Sequence, residues 1–285
     1  MKQQRKLFCD RNPVFFAISQ QKGIWLRRLR DLFSRQRWAK TRQPEPLPWE
    51  IWGCESGLIK TGPGIDPALQ RNKAVNIDLA CRQLDGLLIR PGETFSFWRT
   101  VGKTSRRKGY RDGRVIQGGR LVAGTGGGLC NLGNSLYLLF LHSPLTVTEV
   151  HYHSDALAPD HGKRVPFAAG TSVCYNYIDL RVKNETETDY QLHLWCENDK
   201  LYARLLSRAP APYTYELDEE DHHFAREGEQ YFRLSKIYRL TRDRETGGLV
   251  DKTLIRDNHS LVMFDPALID PALLRAEQND PNPAE

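Results

Sequence analysis

Residues 124–141 read GTGGGLCNLGNSLYLLFL, so one cysteine, Cys130, stands directly behind a run of glycines and ahead of an apolar segment. Four apolar side chains in that segment recur at helical spacing: Leu132, Leu136, Leu139 and Phe140. Their spacing predicts a buried helix that stops at Ser143–Pro144. Glycine allows close backbone approach and positive φ, which permits a tight turn into a helix. The stretch therefore predicts a helix whose first turn carries Cys130.

This position makes Cys130 a candidate nucleophile. Free N–H groups and the positive end of the helix dipole lower the pKa of a thiol, and the thiolate is the reactive form. We therefore expect the thiolate of Cys130 to form below the ordinary pKa of about 8.5. The same N–H groups can stabilise a developing oxyanion. The alternative is a buried structural thiol, since free cysteine often packs as a small hydrophobe.

A nucleophilic cysteine needs a general base and a residue that orients the base. The segment TVTEVHYHSD carries His151 and His153, which alternation in a strand places on the same face. An aspartate follows in CYNYIDLRV, and the order Cys, His, Asp is that of papain-like and transglutaminase-like thiol enzymes. The predicted catalytic residues are Cys130 as nucleophile, His153 as base and Asp179 as the orienting residue.

A second group of residues is predicted to contact a substrate around Cys130. Its members are Gly126, Gly127, Gly128, Asn131, His151 and Ser154. The choice of orienting residue stays open at this point, because Asn176 or Asp160 could take the place of Asp179.

The glycine run does not predict a nucleotide site, because Leu129-Cys130-Asn131 stands where a phosphate-binding loop would have its Lys-Ser/Thr. A zinc site is a weaker alternative, in which His151 and His153 are joined by Cys130 or His161. No second pair of ligands has the spacing of a zinc finger. We therefore expect neither a metal nor a cofactor.

Positive charge is concentrated at the N-terminus. Residues 1–44 contain twelve Lys/Arg and two Asp, a net charge of +10, whereas the whole chain is +6 and the remainder therefore −4. A nucleic-acid partner is not expected, since the basic surface does not extend to the body of the protein. The N-terminus also lacks the apolar run and cleavage site of a secretory signal, so we expect a cytoplasmic, or peripherally membrane-bound, protein.

A basic amphipathic helix is predicted within residues 23–39. Four apolar side chains lie near one face of it: Trp25, Leu29, Leu32 and Phe33. This face could lie on an anionic membrane surface. The pattern favours the other interpretation, in which the apolar face docks on the main domain, because short amphipathic helices are ordinary packing elements.

The remaining pattern is a helix-rich start followed by consecutive strands, which predicts an α+β fold with helices packed on a mostly antiparallel sheet. Asp66 and Pro67 are typical of a helix start, and Gly247-Gly248 marks the tip of a hairpin. The predicted organisation is a helical arm (1–44), an α+β core (45–209), a β-rich extension of that core (210–268) and a polar tail (269–285).

Several segments together resemble the VanW family, named for an accessory protein in a vancomycin-resistance gene cluster. They are PGETFSFWRTVG, GGGLCNLGNSLY, HYHSD and GTSVCYNYIDLRVKN, and the resemblance covers about residues 45–265. The family pattern has Gln where this chain has Asn131, which is shorter as an oxyanion donor. The resemblance implies a cell-envelope setting.

Two functions are consistent with this resemblance. The first is a thiol hydrolase or acyltransferase that acts on a peptidoglycan precursor or envelope peptide through Cys130, His153 and Asp179. The second is a noncatalytic accessory module that binds an envelope component in the same glycine-lined cleft.

Overall fold

The computed structural model describes residues 13–275, with the exception of residues 63–64, 118–119, 153–154, 157–158, 160–169 and 176. Five residues named above lie outside the described part of the chain: His153, Ser154, Asp160, His161 and Asn176. Contacts divide the chain into two compact units. Unit 1 comprises Met1–His151 and Thr171–Pro210, and unit 2 comprises Tyr152–Gly170 and Ala211–Glu285.

The helices and strands of the described residues are as follows. The helices are α1 (Pro13–Phe33), α2 (Pro67–Leu84), α3 (Phe97–Val101) and α4 (Leu129–Leu141). The strands are β1 (Arg37–Trp38), β2 (Trp49–Gly57), β3 (Leu88–Ile89), β4 (Glu93–Ser96), β5 (Asp112–Gln117), β6 (Arg120–Thr125), β7 (Thr146–Glu149), β8 (Asp155–Ala156), β9 (Arg181–Lys183), β10 (Tyr190–Glu197), β11 (Lys200–Ser207), β12 (Tyr213–Glu227), β13 (Gln230–Asp243), β14 (Leu249–Val262) and β15 (Leu274–Arg275).

Unit 1 is built on two small sheets and a hairpin. One sheet has the strand order β2-β11-β10-β3 with antiparallel neighbours throughout, and α2 and α4 pack against it. The second sheet has the order β1-β4-β9-β7, in which only the β1–β4 pair is parallel. The hairpin is β5–β6, which leads into α4. The predicted α+β class with mostly antiparallel sheets is confirmed.

The two longest helices of the body begin and pack as their sequences predict. Asp66 caps α2, its carboxylate accepting a hydrogen bond from the N–H of Ala68 at 2.7 Å, and Pro67 is the first helical residue. The apolar residues predicted for the buried face of α4 are fully buried: Leu132, Leu136, Leu139 and Phe140. Burial of this face against β2 and β11 positions the first turn of α4, and with it Cys130.

Unit 2 is a sheet of order β15-β12-β13-β14-β8. The long strands β12, β13 and β14 are antiparallel to one another, and the chain turns between β13 and β14 at Gly247, whose φ is +69°. The hairpin predicted at Gly247-Gly248 is therefore present.

The helix α1 packs on unit 1, so the N-terminal arm belongs to that unit. The packing face is not the apolar face that the sequence favoured. The α1 residues that become buried are Ile24, Arg27 and Asp31. The predicted docking of the apolar face is wrong: Trp25 and Leu32 stay 59% and 75% exposed. Ion pairs to Glu149 and Arg181 hold the helix instead, and they require its polar face to point inwards.

Candidate functional site

The glycine run produces the tight turn that its sequence predicts. Gly128 precedes the first residue of α4 with φ +98°, and Gly126 has φ +81°. Residues with a side chain rarely adopt a positive φ, whereas glycine adopts it without strain. Cys130 is accordingly the second residue of the helix, in its first turn.

Close packing requires these glycines as well. A Cβ on Gly127 would lie 2.2 Å from the carbonyl carbon of Gly113 in β5. A Cβ on Gly128 would lie 2.2 Å from Cγ of Lys73 in α2, and one on Gly126 would lie 2.7 Å from Cβ of Thr104. The glycines thus let the loop pass between the β5–β6 hairpin and α2. This packing accounts for all three of them, and a substrate contact for Gly126, Gly127 and Gly128 stays a prediction.

Asn76 of α2 holds this loop in place. Its side chain is fully buried, and its amide nitrogen donates hydrogen bonds to the carbonyl oxygens of Gly127 at 2.9 Å and Arg111 at 3.0 Å. Its amide oxygen accepts a hydrogen bond from the N–H of Arg111 at 2.8 Å. Sequence reasoning missed this residue, although an asparagine one position before the apolar residues of a buried helix face was a usable signal.

The Cys130 thiol lies against the backbone of a distant segment. Its sulfur is 3.8 Å from the carbonyl oxygen of Val173, to which the thiol can donate a hydrogen bond. Burial raises the pKa of Cys130, and the neighbouring Cys174 raises it further. The prediction of a lowered pKa is therefore wrong for this structure, because burial disfavours the charged form of the thiol.

Asn131 contacts the neighbouring sheet. Its amide nitrogen lies 3.2 Å from the hydroxyl oxygen of Ser56 in β2. The side chain thus ties the first turn of α4 to β2, and its predicted contact with a substrate is not tested by this geometry.

Asp179 is fully buried, and hydrogen-bond donors surround its carboxylate. One oxygen accepts from the hydroxyl of Ser96 at 2.6 Å and from Nε of Arg181 at 2.8 Å. The other accepts from the backbone N–H groups of Trp98 at 3.1 Å and Leu180 at 3.0 Å. Through these four contacts Asp179 ties α3 to the start of β9. The role of Asp179 as the residue that orients His153 stays a prediction.

His151 lies at the half-exposed edge of a cluster of charged residues that includes Glu149. Its Nε2 lies 3.0 Å from the carboxylate of Glu149, which also accepts hydrogen bonds from Arg27 of α1. Burial opposes ionisation of Glu149, but Arg27 and His151 together hold the pKa of its carboxyl below the ordinary value. The imidazole of His151 is thereby oriented towards the α1 ion pairs.

Lys73 is the second residue that sequence reasoning missed. Its stem lies against Gly128, the residue is only 9% exposed, and it forms no hydrogen bond or ion pair within the described part of the chain. Burial lowers the pKa of Lys73 to about 8, and the positive charges of Lys60 and Arg114 contribute to the decrease. Lys73 is thus a largely buried residue whose ammonium has no counter-ion among the described residues, next to the turn that precedes Cys130, and it is suited to contact an anionic group.

Replacement of Lys73 by methionine is expected to stabilise the protein at pH 7. The pKa of Lys73 is lower in the folded chain than its ordinary 10.5, so the charged form costs stability below about pH 8 and ceases to do so as the pH approaches 10.5. We expect a gain of about 1 kcal/mol in the free energy of unfolding, allowing for solvent screening. Denaturant titrations at pH 7 and pH 10 test this, and an equal effect at both pH values would contradict it.

No group of three or more His, Cys, Asp or Glu residues that could hold a metal ion occurs within the described residues. Of the ligands considered for zinc, His153 and His161 lie outside that part of the chain.

Comparisons with known proteins place these residues in context. Residues 72–206 match the family model described as "VanW like protein", a range that contains Lys73, Asn76, Cys130 and Asp179. The Vancomycin B-type resistance protein VanW of Enterococcus faecalis (strain ATCC 700802 / V583) is 29% identical over 227 residues, which cover 80% of this chain and 82% of that protein.

A second relative is the uncharacterized protein YoaR of Bacillus subtilis (strain 168), 29% identical over 115 residues. This similarity covers 40% of the chain and 36% of that protein. No solved structure matches the chain significantly.

Proposed function

Because the chain belongs to the VanW family, we propose that it is an accessory protein of glycopeptide resistance that binds a carboxylate-bearing peptidoglycan precursor or envelope peptide without thiol chemistry. The observation that supports the proposal is Lys73, a largely buried residue beside the turn into α4 whose ammonium has no counter-ion in the part of the chain that the structure describes. A bound carboxylate would supply the missing partner, and hydrogen bonds to charged groups contribute about 1.5–3 kcal/mol. Peptidoglycan-type peptides are the ligand class that the family resemblance implies.

The state of Cys130 favours binding over catalysis. A thiol nucleophile requires a base within hydrogen-bond reach or a lowered pKa. Burial raises the pKa of Cys130, and the sulfur lies next to the carbonyl oxygen of Val173. Within the described residues, Val173 is the hydrogen-bond partner of this sulfur.

A thiol hydrolase or acyltransferase is the second candidate function, with Cys130 as nucleophile, His153 as base and Asp179 as the orienting residue. One observation favours it: Cys130 lies in the first turn of α4 behind a left-handed glycine, where N–H groups can stabilise an oxyanion. In this mechanism a bound substrate must separate the thiol from Val173.

Calorimetric titration with a purified peptidoglycan stem peptide separates the two functions. The first proposal predicts that Lys73→Met, which is expected to fold stably, weakens binding by about 10–100-fold, whereas Cys130→Ala binds like the natural sequence. Mass spectrometry of the same mixtures detects turnover. Cleavage or transfer of the peptide that is lost in Cys130→Ala would establish the thiol enzyme and overturn the first proposal.

Alkylation by iodoacetamide at neutral pH provides an independent measurement. Cys196 is expected to react before Cys130, because a hydrogen bond from Cys81 lowers the pKa of Cys196 whereas burial raises that of Cys130. Peptide mapping after brief exposure identifies the modified residues, and denaturant should make both react. Fast modification of Cys130 in the folded protein would contradict the structural-thiol assignment.

A further inference from the structure

The helix α1 is attached to unit 1 through charged residues on its inner face. Arg27 donates a hydrogen bond to Glu149 at 2.6 Å, and both guanidinium NH groups of Arg181 bind the carboxylate of Asp31, at 2.8 and 2.9 Å. Arg27 and Asp31 are 8% and 7% exposed, so these ion pairs lie within the fold. They determine the rotation of α1 about its own axis and so determine which side chains face outwards.

The outer face of α1 is apolar. Five of its large side chains are exposed as follows: Val14 63%, Ile18 53%, Trp25 59%, Leu29 48% and Leu32 75%. At 3.6 residues per turn they fall within about 60° of the helix circumference, along about 27 Å of its length. Leu26 and Phe33, which are 52% and 81% exposed, extend this surface on one side. These seven residues are called the outer stripe below. Ordinary protein surfaces expose single, scattered apolar residues, whereas the outer stripe is a contiguous apolar surface.

Positive charges lie within and beside the outer stripe. At 3.6 residues per turn Lys22 falls between Leu29 and Phe33, whereas Arg28 and Arg30 border the stripe on its two sides. Lys22, Arg28 and Arg30 of α1 are all exposed. A cleft of about 330 Å³ lies at the C-terminal end of the helix, lined by Arg28, Asp31, Leu32, Ser34, Trp38 and Arg99. The carboxylate in this lining, Asp31, pairs with both Arg181 and Arg99, and Arg181 also pairs with Asp179. Arg28 is therefore the cation that the lining offers to an anion next to Leu32 of the stripe.

We propose that α1 is a membrane-surface helix that binds an anionic bilayer, with the outer stripe at the boundary of headgroups and acyl chains. A lipid phosphate is placed in the cleft beside Arg28. An apolar stripe bordered by Lys and Arg is the arrangement of helices that lie in the interface of anionic membranes. No helix in the described part of the chain is long and apolar enough to span a bilayer.

Charge favours a lipid surface over a second copy of this chain as the occupant. The carboxylate of α1, Asp31, is buried and paired with Arg181, so two copies that met through the outer stripe would place Lys22, Arg28 and Arg30 of both chains in one interface without a carboxylate of α1 to pair with them. Like charges at a contact are unfavourable. Anionic headgroups instead pair with every one of these cations.

Co-sedimentation with phosphatidylcholine vesicles, prepared with and without phosphatidylglycerol, tests the apolar part of the proposal. The double substitution Leu32→Gln/Phe33→Gln is expected to weaken binding to the anionic vesicles about tenfold or more, because two apolar side chains lose their transfer from water. Both residues are exposed, so the fold is expected to be unchanged, which circular dichroism verifies. The matched control is Leu249→Gln/Val250→Gln, at positions 54% and 57% exposed in β14, which should bind like the natural sequence.

The charged part is tested by Arg28→Gln and Arg30→Gln. Each is expected to weaken binding to the anionic vesicles about fivefold, corresponding to about 1 kcal/mol for each cation near the surface. Binding should also fall with added salt.

The proposal is overturned if the protein does not sediment with anionic vesicles, or if the control pair weakens binding as much as the stripe pair. It is likewise overturned if sedimentation velocity shows a dimer that Leu32→Gln/Phe33→Gln dissociates. Peptide binding near Lys73 involves none of these residues, so either proposal can fail alone.

Discussion

Asp179→Ala is expected to lower the free energy of unfolding by about 3–5 kcal/mol, the usual cost of removing one partner of a buried ion pair. Asp179 is fully buried, and its carboxylate accepts hydrogen bonds from Ser96, Arg181 and two backbone N–H groups. Alanine leaves these donors without an acceptor, and it removes one of the carboxylates that neutralise Arg181. Chemical denaturation with matched m values measures the loss.

The control for this substitution is Asp78→Ala. Asp78 pairs with Arg82 across one turn of α2 at the surface, and such pairs contribute within about 0.5 kcal/mol. A second variant, Asp179→Asn, keeps the size of the side chain while removing its charge. If Asp179→Ala unfolds at the same denaturant concentration as the natural sequence but abolishes a peptide-processing activity, the anchor role is wrong and the catalytic role of Asp179 gains support.

Gly127→Ala is expected to destabilise the protein by about 3 kcal/mol or more. An added Cβ would lie 2.2 Å from the carbonyl carbon and 2.4 Å from the carbonyl oxygen of Gly113, and 2.8 Å from the backbone nitrogen of Arg114. Backbone atoms cannot move aside as the end of a flexible side chain can, so the loop or β5 must shift. The shift would also disturb the hydrogen bond from Asn76 to the carbonyl oxygen of Gly127. Thermal and denaturant unfolding measure the effect.

Gly57→Ala provides the matched comparison, since a Cβ at Gly57 meets no atom within 4 Å. We expect its free energy of unfolding to stay within about 0.5 kcal/mol of the natural value. If Gly127→Ala is tolerated equally well, the close approach of the glycine loop to β5 is not present in solution. In that case the glycines would have to be explained by a ligand, and the prediction that Gly126, Gly127 and Gly128 contact a substrate would be strengthened.

Local patterns in the sequence were sufficient for the elements that carry the candidate site. The apolar spacing in 132–140 and the glycines before it specify α4 and its left-handed turn, because both depend on neighbouring residues. The cap at Asp66 and the turn at Gly247 were predictable for the same reason. The predicted α+β class follows from the order of such elements along the chain.

Contacts between residues far apart in the sequence determined the environment of Cys130 and the packing face of α1, which local patterns could not predict. The thiol of Cys130 is buried against Val173, 43 positions away, so a cysteine that local sequence marks as activated has a raised pKa instead. The amphipathic pattern of α1 was readable, but which face packs inwards depends on Glu149 and Arg181, 122 and 150 positions from their partners in α1. The sequence by itself therefore determined where the helices, strands and tight turns form, since these depend on short-range sterics and periodicity. Only the tertiary structure decided the raised pKa of Cys130, the lack of a counter-ion for Lys73 among the described residues and the outward direction of the α1 stripe, because desolvation and ion pairing depend on which distant groups the fold brings together.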